Sequence, residues 1–484
     1  MFMKKIIFYV FAALTIMMLP TACIEELPGS PGQDAVLSEP YEQEDMIGES
    51  VLSLRNQLFP QTKSSEGGIS SVEIIFESDL TVGTKSSGEG DSPLIRIINF
   101  DNGGYAITSA DSSCCMIYAI IEEGSMSASN FIEAYNAPAM EELTLDMTAD
   151  AIGEDPVLAD GDTWFRDAGP DMVAKLIGDA ALVCNSTDTF KDHFWGEGDD
   201  DEVKHFSGNI NKPVDHYSYS YSYEMTNKVS AIEESERLEW DQVSPFNDKC
   251  PVKNSSTGER YLAGCVAIAA AQVLVYNGFP EDGEWDWNIL RQVHDTSDGT
   301  EYQREYVADF VKFIGEKENC NIRYRANGSW GVADGARRTF RNFGYSSVKK
   351  PMYVINFNDN AYDNVSKMIK AGKTVFITAA DGFKGHAWVF EGVANYICKR
   401  MKETYYRDGT SSIEIVSRSI SHDLLYCNWG WNGSWNGYFS KDCLNPKNSR
   451  MDQDIYEDGE GSPDDEYQNE SSFDWNYKLV IYNL

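Results

Sequence analysis

A cysteine stands at the front of an alanine-rich apolar run, "AGCVAIAAAQVLVY", with Cys265 directly after Gly264. The run predicts a helix that begins at this pair. A thiolate attacks carbonyl carbon, and a helix N-terminus favours the thiolate through its free N–H groups and dipole. Ala267, Ala269, Ala270 and Ala271 let such a helix pack close to its neighbours. Taken alone, Cys265 reads more simply as a small buried hydrophobe.

A nucleophile needs a base, and the chain has six histidines. His386 opens an alternating strand in "KGHAWVFEGV", where Gly385 permits a tight approach. His193, His205, His216, His294 and His422 lie in polar or loop-like contexts. A base needs an orienter. In "YCNWGWNGSWNGYF", the Asn428 side-chain oxygen can accept from an imidazole N–H. Trp429 and Trp431 beside it can shield that bond from water, although the same segment reads equally as a Trp-rich hairpin packed into a core. Acyl transfer also develops an oxyanion. Gln242, in "LEWDQVSPFN", offers a neutral amide donor, and the Cys265 N–H would be the second. Alone, Gln242 is an ordinary surface residue.

These residues must be positioned by a helix and a set of strands. "VADGARRTFRNFGY" and "AYDNVSKMIKAGKT" read as amphipathic helices. "TVFITAA", "GHAWVFEGVANYI", "IEIVSRSI", "DLLYCNWGWNGSWNGYF" and "YKLVIYNL" read as strands. A nucleophile helix followed by antiparallel strands is an α+β layout. Upstream, "DNGG" at Asp101–Gly104 separates two β-rich runs and predicts a hairpin. "SASNFIEAYNAPAMEEL" and "MVAKLIGDAALVCNS" read as helices. A polar break follows at Gly196–Glu202 and His216–Lys228. The expected organisation is a signal peptide over 1–22, a flexible acidic tether over 23–69, a first domain over 70–228 and a catalytic domain over 229–484. The stretch "HYSYSYSYEMTNKVSAIEESERLEW" is expected to be an exposed link, open to nicking.

The chain has 484 residues and a formal net charge of -37, with 42% hydrophobic residues. That composition is globular and excludes binding to nucleic acid or to an anionic membrane surface. The start, "MFMKKIIFYVFAALTIMMLPTAC", has a basic end, a short apolar run and small residues before Cys23, as an export signal does. "TAC" resembles a lipobox with Pro20 out of pattern, so Cys23 is expected to carry lipid and to be the chain's single attachment to a membrane. The ten cysteines show no metal-binding spacing and no assignable disulfide. No metal and no cofactor are expected.

The order Gln, Cys, His, Asn is the papain order. Together "EWDQVSPFNDKCP", "GCVAIAAAQVLVY", "VADGARRTFRNFGY", "GHAWVFEGV" and "NWGWNGSWNGYF" resemble the streptopain-like cysteine peptidases, exported bacterial proteinases on a papain-like fold. The resemblance spans about Leu238 to Phe439. It implies Cys265 as nucleophile, His386 as general base, Gln242 on the oxyanion, and Asn428 and Trp429 flanking the histidine. "GGYAITSAD" at Gly103–Asp111 resembles the family's propeptide, which implies a first domain that inhibits the second. The chain departs from the family at Glu391 (often Asp), Asn432 (usually Gly) and Tyr426 (commonly His). The expected function is an exported or cell-surface cysteine endopeptidase, made as a self-inhibited zymogen and acting on proteins or peptides. Two alternatives stand beside it: a catalytically silent surface lipoprotein that binds proteins, and another papain-like acyl-transfer enzyme such as an amidase or transglutaminase.

Overall fold

The computed structural model describes residues 40–60, 67–80, 92–110, 116–137, 164–186, 214–325, 328–348, 352–355, 357–381, 384–407, 409–415, 420–444 and 476–483. The expected signal peptide, Cys23 and the acidic stretch before the last strand lie outside the described residues. From Pro40 to Leu484 the chain forms one compact unit.

The first half opens with helix α1 (Pro40–Leu58) and strand β1 (Ile69–Phe76). Helix α1 falls inside the expected flexible tether, and that expectation fails there. Val51, Leu54 and Leu58 are fully buried, so this face of the segment is held by apolar packing. A one-turn helix α2 (Glu77–Leu80), then β2 (Pro93–Phe100), β3 (Tyr105–Ser109) and β4 (Ile117–Ile121) follow. The predicted hairpin joins β2 to β3, with Gly103 and Gly104 both at φ near +80°. Next come α3 (Ala128–Tyr135), the short β5 (Phe165–Asp167), α4 (Asp171–Ser186) and the long β6 (Val214–Ser230).

The second half has the small hairpin β7 (Val252–Asn254) and β8 (Glu259–Arg260), then α5 (Cys265–Asn277). Helices α6 (Trp287–Leu290) and α7 (Glu301–Gly315), strands β9 (Arg323–Arg325) and β10 (Gly328–Gly331), and α8 (Ala333–Asn342) come next. Strand β11 (Met352–Ile355) and α9 (Asp359–Lys370) lead into β12 (Val375–Asp381) and β13 (Lys384–Tyr406). The chain continues through β14 (Ser411–Ile415), β15 (Ile420–Asn428), β16 (Gly437–Ser440) and β17 (Asn476–Val480). Both helices predicted in this half form, at Ala333–Asn342 and Asp359–Lys370.

Helix α5 is apolar on nearly every side because it is enclosed on every side: each residue from Cys265 to Val275 is buried. It packs on β12 and β13 and against α7 and α8. Each fully buried Val, Leu or Ile contributes about 1.5–3 kcal/mol. The sheet it lies on is antiparallel apart from one pairing, so the α+β expectation holds.

That sheet does not stop at the half-way point. Its order is β1-β2-β3-β4-β16-β15-β13-β12-β17-β11, so β4 of the first half pairs directly with β16 of the second. Strand β6 pairs with β13 from Gly392 to Tyr406. Most of the expected exposed link is therefore a strand hydrogen-bonded along β13. Tyr221 and Tyr223, expected to be open to cutting, are buried, and Tyr223 lies edge-on to Tyr396. Beyond the strand, the link is a bend and a 3-10 turn over 231–236, with Glu233, Ser235 and Glu236 at the surface.

Limited digestion of a Cys265→Ala chain should accordingly cut within 231–236 before any bond in Val214–Ser230 opens. The two pieces should co-elute on a native sizing column, because four strands of the first half continue the sheet. An earlier cut inside β6, or separation without denaturant, would contradict this topology.

Candidate active site

Cys265 is the first residue of α5. Gly264 before it has φ +94°, a conformation that L side chains resist, and a Cβ there would press on Ile322 at 3.2 Å. The chain turns sharply there and presents Sγ beside the free N–H groups of the first turn. His386 is fully buried at the start of β13, opposite Ala379 of β12. Gly385 is needed beside it: a Cβ there would lie 2.5 Å from the Ala379 carbonyl oxygen and 2.9 Å from the Phe165 ring. The β12–β13 pair on α5 thus carries the imidazole to the cysteine.

The imidazole is clamped on all sides. Trp431 lies against it with centroids 4.3 Å apart, and Trp388 and Trp429 stack at 6.2 and 6.0 Å. Nε2 is 2.7 Å from the Trp429 carbonyl oxygen. The expected acceptor was the Asn428 side chain, and the structure corrects this. The Asn428 Oδ1 accepts from the Gly430 N–H at 3.2 Å, and its Nδ2 donates to the Leu238 carbonyl and to Glu391 Oε1, each at 2.7 Å. The backbone next to Asn428 does what its side chain was expected to do. Trp429 flanks the ring as expected and adds its carbonyl.

Nδ1 faces a group the sequence reading missed. Asp167, at the end of β5 in the first half, places Oδ1 2.9 Å from Nδ1. Its Oδ2 accepts from the Gln242 amide Nε2, and the Gly169 N–H donates to Oδ1 at 2.9 Å. Both imidazole nitrogens therefore face oxygen acceptors, so the ring makes both bonds only when it carries both protons. Strand β5 reaches this place by pairing in parallel with the start of β13, Gly385 opposite Asp167. The one weak signal in sequence is the polar Asp in "WFRDAG" just ahead of a helix.

The ligating atoms of Asp167, Cys265 and His386 all lie within 4.8 Å of one another. Gln242, 3% exposed, joins them through Asp167. Burial pushes the Cys265 thiol well up and the Asp167 charge pushes it further, while the N–H groups of Ala387, Val266 and Cys265 pull it down. For Asp167 itself burial also acts upward, but the His386 charge and hydrogen bond, the Gly169 N–H and the Gln242 amide hold the carboxyl below its ordinary value. In this arrangement ionisation of the thiol is disfavoured, the imidazole is engaged by Asp167 and the amide donor is occupied.

Beneath the site lies a buried ionic network. Glu391 accepts from the Tyr276 hydroxyl at 2.8 Å and from Asn428, and burial raises its carboxyl to about 7. Arg237 sits 3.5 Å from Glu391 and 2.8 Å from Glu122 of the first half, and its guanidinium covers the Tyr426 ring at 3.7 Å. The Tyr426 hydroxyl donates to Glu122 at 2.7 Å. Two of the departures from the family pattern, Glu391 and Tyr426, thus belong to one network. The third, Asn432, has φ +51° and accepts from the Thr296 N–H, which explains why a glycine also suits the position.

Two outcomes follow for mutants. Asp167→Asn removes the charge beside Sγ and loosens the hold on Nδ1, so alkylation of Cys265 by iodoacetamide at neutral pH should speed up by about tenfold, one pKa unit; an unchanged rate would show that Asp167 does not control the thiol. Asn428→Ala takes one donor from each of the buried Glu391 and Leu238 oxygens, which keep Tyr276 and Gln272, and the two lost bonds cost about 1–3 kcal/mol. Its main effect should be a lowered melting temperature, and a kcat loss at unchanged stability would contradict the geometry.

Residues 240–285 and 281–439 match the Peptidase C10 family. Streptopain from Streptococcus pyogenes is 21% identical over 254 residues, covering 45% of this chain and 57% of streptopain. The thiol protease/hemagglutinin PrtT of Porphyromonas gingivalis is 25% identical over 241 residues, covering 44% of this chain and 24% of PrtT. The chain therefore spans little more than half the length of streptopain. A solved fragment of Prevotella intermedia prointerpain A aligns over 86% of this chain and 100% of its own length, with a TM-score of 0.43 and 15% identity. The segment from Trp240 to Phe439, which holds Gln242, Cys265, His386, Asn428 and Trp429, belongs with the streptopain-like cysteine peptidases of the Peptidase C10 family.

Proposed function

We propose that the chain is an exported cysteine endopeptidase held silent by its own first half. The observation that carries this is Asp167: one carboxylate from the first half occupies both the imidazole of His386 and the amide of Gln242. Those are the two groups that peptide hydrolysis needs free.

Once β5 lifts away, the proton shared by Nδ1 and Oδ1 leaves to solvent and Nδ1 faces Sγ with its lone pair free. His386 takes the thiol proton, and the Trp429 carbonyl keeps Nε2 protonated and the ring in place. The Cys265 thiolate attacks the scissile carbonyl carbon. The oxyanion that forms is met by the Gln242 amide and the Cys265 N–H at the start of α5. The imidazolium then gives its proton to the leaving amine, an acyl-enzyme remains on Sγ, and water activated by the imidazole releases the acid product. Removal of the Asp167 charge lowers the thiol pKa in the same event, so unlatching both frees the base and eases formation of the nucleophile. The leader over 1–22 supports export, and lipid on Cys23 would tether the enzyme at the cell surface.

The test follows the full-length protein over time by size and by hydrolysis of a peptide substrate. The wild-type chain should gain activity as it is cut, whereas Cys265→Ala and His386→Ala should stay inactive and well folded. The double mutant should be scarcely worse than either single mutant. Gln242→Ala should lower kcat by about 10²–10³ with little change in KM. Full activity in Cys265→Ala would sink the mechanism, and full activity of the wild-type chain before any cut would sink the latch.

A further inference from the structure

The three groups that meet at the latch are a carboxylate, an imidazole and a thiol, the donor set of a zinc site. The sequence gives no hint of this. Its cysteines and histidines have no metal-binding spacing, because these donors come from β5, α5 and β13 and meet through folding alone. We propose that the full-length chain binds one zinc-class divalent ion through Asp167, Cys265 Sγ and His386 Nδ1, and that the ion clamps the first half onto the peptidase site. The proposal rests on the reading of Asp167 as the latch.

The geometry is close to what an ion needs. All three ligating atoms lie within 4.8 Å of one another, and Nδ1 and Oδ1 are already 2.9 Å apart. With Zn–S of about 2.3 Å and Zn–N of about 2.0 Å, tetrahedral donors stand roughly 3.2–3.7 Å from one another. A closing movement of about an ångström at Sγ therefore suffices.

The surroundings also suit a metal. A ligating histidine commonly donates its other ring N–H to a carbonyl, which fixes the ring. Nε2 faces the Trp429 carbonyl at 2.7 Å. The carboxylate is oriented by Gln242 and by the Gly169 N–H. Gln242 Oε1 is buried without a hydrogen-bond partner, and a water in the fourth coordination position would give it a donor.

The balance is simple. The proton on Sγ and the proton between Nδ1 and Oδ1 go to solvent, and thiolate plus carboxylate neutralise the dication. No oxidation state changes. The bound ion would hold Asp167, Cys265 and His386 together more firmly than the proton it replaces, so loss of the ion would favour opening.

The experiment titrates freshly purified, metal-stripped, full-length chain with Co²⁺ and reads the thiolate-to-cobalt charge-transfer absorption, followed by displacement with Zn²⁺. One Co²⁺ per chain is expected. Cys265→Ala should abolish the band, and Asp167→Asn, a neutral variant of the same shape, should weaken binding at least about tenfold. A melting curve checks that each variant is folded. Zn²⁺ should also slow conversion of the wild-type chain to its cut form, and a chelator should restore it. Absence of the band, its survival in Cys265→Ala, or unchanged affinity in Asp167→Asn would overturn the site. Peptide hydrolysis by the cut chain is measured separately. Hydrolysis without Co²⁺ binding rejects the metal site and leaves the peptidase standing, while Co²⁺ binding without hydrolysis rejects the peptidase and leaves the site.

Discussion

His386 Nδ1 serves one partner at a time, and in the full-length chain that partner is Asp167. Much of the molecule can be read as the means of making that bond. Strand β5 must run parallel to the start of β13, and Gly385 must lack a side chain so that Phe165 can approach. The imidazole cannot turn away, because three tryptophans enclose it and the Trp429 carbonyl holds its far nitrogen. The same carboxylate draws on the Gln242 amide and raises the thiol it faces. A single ionised group thus bears on His386, Gln242 and Cys265 together.

The first half is joined to the second by more than this contact. The sheet continues from β4 into β16, and β6 covers the edge of β13. Below the site, Glu122 of the first half meets Arg237, which also faces Glu391, the carboxylate that holds Asn428. Glu391 and Tyr426 differ from the family pattern, yet each finds its partner in this network. A buried carboxylate without such guanidinium and hydroxyl partners would be costly. Removing the first half would take one anion from Arg237 and leave Glu391 as its remaining close carboxylate in that network.

Much of this was legible in the sequence. Cys265 before four alanines announced a buried helix with a chemical group at its start, and the alternation after His386 announced the strand that delivers it. Gln242 was readable through its place ahead of the helix. Asn428 was legible as a buried polar residue but not in its partner, because a backbone carbonyl one residue away leaves no mark in the sequence. Asp167 was invisible: a lone Asp before a helix looks like any other, and its meaning depends on a parallel pairing with a strand far along the chain. The polar stretch after His216 was misread for a related reason. Alternating Ser and Tyr resemble a solvated link, yet that alternation also suits a strand with one buried face, as Tyr221 and Tyr223 show.

The central claim is that one cysteine among several buried ones is the nucleophile. Cys250, Cys320, Cys398, Cys427 and Cys443 are also free thiols inside the fold and serve as internal controls. The direct measurement treats the cut, active protein with an active-site-directed epoxide probe and maps the adduct by mass spectrometry. A single adduct on the peptide containing Cys265, formed in step with loss of activity, is the predicted result. Loss of activity with the adduct on another cysteine, or an adduct on Cys265 that leaves hydrolysis intact, would contradict the account.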